Sequence, residues 1–134
     1  MTETKQHVCA VGTARIGYRG HVRHRVLDTT IKSATGLGVV FAPTWSMVMD
    51  WKHGVMEWDT YSKQYTELMR ERYQKNQVAF LEALQSDELI VCCYCKDTYA
   101  STRHCHRYLL VDILHKVADH HQIGFKSVGE VHNR

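Results

Sequence analysis

The residues best suited to chemistry cluster between Val91 and Leu114. A run of apolar residues ends in Cys92-Cys93-Tyr94-Cys95, a polar stretch follows, and Arg103-His104-Cys105-His106-Arg107 opens an amphipathic segment. In open α/β sheets, ligands bind where strands end and the following helices begin. Free N–H groups at a helix start, helped by the dipole, favour an anion. Arg103 and Arg107 add fixed charge of the kind that grips phosphate or carboxylate through paired hydrogen bonds.

His106 stands four residues before Leu110 and seven before Ile113, so it shares their apolar stripe and is expected to face the sheet. That stance brings it toward Cys93 and Cys95. Three readings of the cysteines compete. Cys105 or Cys95 can serve as a nucleophile, its thiolate favoured by the helix start and the arginines. Cys93, Cys95, Cys105 and His106 (or His104) can form a zinc set, although two cysteines one residue apart on a strand make a poor bite. Packing is the third reading, and the natural one for Cys92. No metal and no cofactor is the expectation, with zinc the lesser alternative.

Elements that position these groups can be read from periodicity. His7–Ile16 and Arg25–Ile31 suit strands, the second carrying Asp28, and Ser33–Gly38 suits a loop. Pro43 suits the first turn of a helix to Lys52, which Gly54 stops. A longer helix from a cap at Asp59 to Tyr73 places Tyr61, Tyr65, Leu68 and Met69 on one face. Another helix spans Val78–Leu84. Leu89–Tyr94 is a continuous apolar run, as in a strand buried on both faces. A helix from His104–Cys105 to His120 and a strand from Phe125 to Val131 complete the chain. This order predicts an α/β fold, a single layered domain with a small, mainly parallel sheet flanked by helices, spanning 1–134 with an ordered core of about 8–131.

Composition narrows the function. The chain has 134 residues, 44% hydrophobic and 23% charged, with one proline, which is one ordinary domain. A formal charge of +3 is too mild to demand a nucleic-acid partner. The one basic concentration, Arg15–Arg25, holds four arginines and two histidines and reads as a solvated loop, with phosphate contact as its alternative. Five cysteines, an odd number, and a polar opening segment point to free thiols in the cytoplasm rather than disulfides. No run is long enough to span a membrane. The oligomeric state is open, and a homo-oligomer fits.

The pattern of a strand, VCCYCKD, a loop and CHRYLLVDIL resembles the family catalogued as domain of unknown function 488, through Cys105-His106-Arg107 above all. Val26-Leu27-Asp28-Thr29-Thr30 is similar to that family's early strand with an acidic residue, and FAPTWSMVMDWKHG with WDTYSKQY is similar to a phage-associated branch. The resemblance implies an α/β fold with a pocket around the Cys-His-Arg helix, and a bacterial or phage source. It brings no activity with it.

Two functions are therefore expected. One is binding of a small anionic, nucleotide-like molecule, as in a phage protein that sequesters a nucleotide signal of host immunity. The other is an enzyme, hydrolase or transferase, acting on a nucleotide, nucleoside or modified base. In it His106 is the acid or base, Asp28 or Glu130 the carboxylate partner, and Cys105 the nucleophile. For either function the ligand-binding set is Arg103, Arg107, Cys93, Cys95, Lys52, Tyr61, Tyr65 and Glu130. Tyr61 and Tyr65 would stack on a base unless they belong to the core. Trp45, Trp51 and Trp58 are expected to wall the pocket.

Overall fold

The computed structural model describes residues 7–15, 17–18, 24–93 and 104–131. The strands are β1 (Val8–Arg15), β2 (His24–Asp28), β3 (Glu88–Cys93) and β4 (Gly124–Glu130). The helices are α1 (Gly38–Phe41), α2 (Trp45–Lys52), α3 (Trp58–Lys75), α4 (Gln77–Leu84) and α5 (His106–His120). The strands form one sheet in the order β2-β3-β1-β4, and every pair is parallel. This is the α/β architecture that the alternation of elements predicts. None of the described helices is long and apolar enough to cross a membrane.

Side-chain pattern explains the layering. The apolar run of β3 occupies a central position, and its last five residues are buried. Leu89 and Val91 point to the face covered by helices, where Tyr61, Tyr65, Met69, Phe80, Leu110 and Leu114 join them. Ile90 and Cys92 point the other way, toward Ala14, Tyr18 and Val131. On α3, Tyr61, Tyr65 and Met69 recur every four residues and make one buried stripe.

The differences from the expected boundaries have local causes. β2 stops at Asp28 rather than Ile31, because the Asp28 carboxylate accepts from Thr30 N–H at 2.8 Å and from Ser33 Oγ–H at 2.5 Å, which turns the chain. The short α1 then packs so tightly that a Cβ on Gly38 would lie 2.1 Å from the Asp28 carbonyl oxygen. Only glycine fits there. Pro43 lies just before α2 rather than in its first turn, because Thr44 is the cap, accepting from Met47 N–H at 3.2 Å. Glu57 occupies the cap position of α3, leaving Asp59 in its first turn, where a negative charge suits the dipole.

Parallel pairing in register gathers the carboxyl ends of the strands. Asp28 pairs with Cys92, Arg15 with Cys93 and Thr13 with Glu130. α5 begins at the same edge.

Candidate active site

Thr29 extends the β2–β3 ladder by one step, its N–H donating to the Cys92 carbonyl at 2.8 Å. Its hydroxyl donates to the same carbonyl, also at 2.8 Å. The hydroxyl proton being spent, His106 Nε2 must be the donor to Thr29 Oγ1 at 2.9 Å and to Thr29 O at 3.1 Å. The imidazole therefore carries its proton on Nε2. Burial pushes its pKa down to about 4, and the nearby charge of Arg107 acts in the same direction, so the ring is neutral at physiological pH. As expected, His106 faces the sheet, only 7% exposed.

Arg107 is the hub, and it is fully buried. Its Nε donates to Glu130 Oε1 at 3.1 Å and its Nη2 to Glu130 Oε2 at 2.6 Å. Nη2 also donates to the Tyr108 hydroxyl at 3.0 Å. Nη1 stands 3.3 Å from Cys93 Sγ and 3.3 Å from Cys105 Sγ. A guanidinium has five N–H groups. All of them are engaged within the protein.

Glu130 is held in turn by the Thr13 hydroxyl, which donates at 2.6 Å, and by Tyr108, which donates at 3.2 Å. Burial alone would raise its carboxyl pKa, but the hydrogen bonds from Arg107 and Thr13 and the charge of Arg107 outweigh this and hold it below the usual carboxylate range. Glu130 is thus an anion that neutralises Arg107.

Cys93 and Cys105 are joined as a disulfide, which corrects the expectation of free thiols for these two residues. Their Cα atoms are 7.9 Å apart. Cys105 is the N-cap residue of α5. Cys9 and Cys92 are ordinary buried thiols, pushed up to about 11 and about 12 chiefly by burial.

The donor atoms of Cys93, Cys105 and His106 all lie within 4.8 Å of one another, a soft set that would suit zinc by type. The surroundings suit it poorly. His106 Nε2 is bound to Thr29, and the Arg107 guanidinium faces both sulfurs, where its charge would oppose a cation.

The remaining expected residues fall into distinct places. Asp28 is turned toward Thr30 and Ser33 rather than onto His106. Tyr65 is core, and its hydroxyl donates to the Phe41 carbonyl at 2.7 Å. Tyr61 is 3% exposed and stacks on Trp58 at 5.2 Å, and Trp58 stacks on His104 at 4.8 Å. Trp51 meets the same group, 5.3 Å from Trp58. Lys52 lines a cavity of about 430 Å³ with Lys32, Trp45 and Met49, beside the turn that follows β2. Arg103 and Cys95 lie outside the described residues, as does much of the Arg15–Arg25 segment. Thr13 is unannounced by any motif, and Thr29 and Tyr108 lie within the segments VLDTT and CHRYLLVDIL but are not singled out there. Arg107, however, stands three residues before Leu110 and seven before Leu114, a spacing that marks it as inward-facing.

The chain matches the family model DUF488-N3a, described as the active DUF488-N3 subclade, over residues 2–118. It belongs to that family. The match includes Cys93, Cys105, His106 and Arg107 and stops short of Glu130. No curated protein and no solved structure matches the chain.

Proposed function

We propose that the protein, with its Cys93–Cys105 bond reduced, is a cysteine-dependent enzyme acting on a small anionic, nucleotide-like molecule, with Cys105 as its nucleophile. The observation that carries this reading is Arg107 Nη1, 3.3 Å from both sulfurs inside a buried site. A cation at that distance favours thiolate over thiol, and the helix start adds to it. Because Glu130 already balances Arg107, one thiolate gives the group a single net negative charge.

The thiolate attacks an electrophilic atom of the substrate, and the bond to the leaving group breaks, the leaving group taking the electron pair. Water or a second acceptor then displaces the sulfur and restores it. His106, neutral and protonated on Nε2, has Nδ1 as its acceptor for the proton that this second step releases. The cavity beside β2 supplies the substrate's contacts, with Trp45 for a flat ring and Lys32 and Lys52 for negative charge. The description of the family as an active subclade agrees with turnover.

The test is to incubate wild type and Cys105→Ser with mono-, di-, cyclic and ADP-ribose-type nucleotides, following products by chromatography and binding by thermal shift. Product from wild type, lost in Cys105→Ser with binding kept, is the expected result. A ligand that shifts both proteins and is never converted would overturn the enzyme reading. That outcome would favour a sequestering protein, such as a phage product that removes a nucleotide signal. One observation already supports this second reading. Asp28 and His106 are each bound to other partners, so the carboxylate does not orient the imidazole.

A further inference from the structure

We propose that the Cys93–Cys105 disulfide is reversible, so that reduction frees Cys105 and a peroxide restores the bond with Cys93 as the resolving partner. The inference rests on the thiolate at Cys105 but not on any substrate. Three observations support it. The two sulfurs are bonded to each other, although the residues come from the end of β3 and the start of α5. One nitrogen, Arg107 Nη1, donates to both, so it can stabilise negative charge on either sulfur in turn. The other described cysteines are directed elsewhere, Cys9 into the helix-side core and Cys92 to the opposite face of the sheet.

In the first step the Cys105 thiolate attacks one oxygen of a hydroperoxide. The O–O bond breaks, and the departing oxygen leaves as hydroxide or alkoxide and takes up a proton. Cys105 is now a sulfenic acid, oxidised by two electrons. In the second step the Cys93 sulfur attacks the Cys105 sulfur. The S–S bond forms, the S–O bond breaks, and the oxygen departs as water with the Cys93 proton. The peroxide has been reduced and both cysteines oxidised. A dithiol reductant returns the pair to two thiols by exchange.

The experiment treats reduced wild-type protein with hydrogen peroxide, blocks remaining thiols with N-ethylmaleimide and measures intact mass and linked peptides. The expected result is loss of two blockable thiols and of two hydrogen atoms of mass, with one cross-linked peptide joining Cys93 to Cys105, all reversed by dithiothreitol. In Cys93→Ser, dimedone should trap a sulfenic acid at Cys105 that wild type does not accumulate. Full blocking of both thiols after peroxide, or a cross-link through Cys9, Cys92 or Cys95, would overturn the proposal. The two proposals fail separately. Disulfide formation without turnover of any nucleotide sinks the enzyme reading alone, and turnover in a protein whose pair stays reduced sinks this one alone.

Discussion

Arg107 and Glu130 meet through two parallel hydrogen bonds, of 3.1 and 2.6 Å, and this fork fixes the plane of the guanidinium. With Nε and Nη2 committed to the carboxylate, Nη1 has one direction left, and that direction is toward the sulfurs of Cys93 and Cys105. An ion pair that looks structural is therefore what aims the charge at the thiols.

Breaking the pair should show in both stability and reactivity. Glu130→Gln keeps the shape but leaves a buried cation without its counterion, and removal of one partner of a buried pair typically costs about 3–5 kcal/mol. Glu130 is partly exposed, so the lower end applies. Urea unfolding checks the loss. Arg107→Met removes the charge as well, and a Cys105 reactivity profile unchanged from wild type would contradict the role given to Nη1.

Alkylation should separate the cysteines. With iodoacetamide near neutral pH, in protein first reduced and freed of reductant, one of Cys93 and Cys105 should react well ahead of Cys9 and Cys92, whose thiols are pushed up to about 11 and about 12. Peptide mapping at short times reads the order. Equal labelling of all of them would mean that the site does not favour a thiolate.

His106 predicts a pH dependence. Its pKa is lowered from 6.5 to about 4 in the folded protein, so the unfolded chain binds the extra proton between those values. Stability from this group is full above the unfolded pKa and falls as pH drops toward the folded one, by about 3 kcal/mol in all. Below about 4 its contribution is flat. Comparing urea midpoints at several pH values in wild type and His106→Gln isolates the slope, which the variant should lose.

Thr29 should matter through its hydroxyl. Thr29→Val keeps the shape but removes the donor to the Cys92 carbonyl and one acceptor for His106. A cost of about 1–3 kcal/mol follows from leaving buried groups short of partners. Thr29→Ser should recover most of it, and a valine variant as stable as wild type would show that the pairing contributes nothing.

Much of this arrangement is legible in the sequence. The apolar run Leu89–Tyr94 identifies the buried strand, and the spacing of His106, Leu110 and Leu114 identifies the inward face of α5. Both signals are repeated along several residues. What periodicity does not display is pairing across the sheet. Nothing near Thr13, Thr29 or Glu130 announces that three strands carry them to one edge, because that meeting is set by register. The helix α1, only Gly38–Phe41, is too short to show a period. The fate of Arg107 turns on a choice between two cues. Its charge suggests a ligand, its spacing suggests burial, and the burial is complete.

The last strand has a consequence for the timing of synthesis. Thr13 and Glu130 are separated by nearly the whole chain, yet they share the 2.6 Å hydrogen bond that anchors the Arg107 counterion. On the ribosome, a polypeptide that has emerged only as far as α5 already holds both cysteines and Arg107 but not the carboxylate that balances them. The Arg107 guanidinium gains its counterion only when β4 arrives and adds to the sheet edge beside β1.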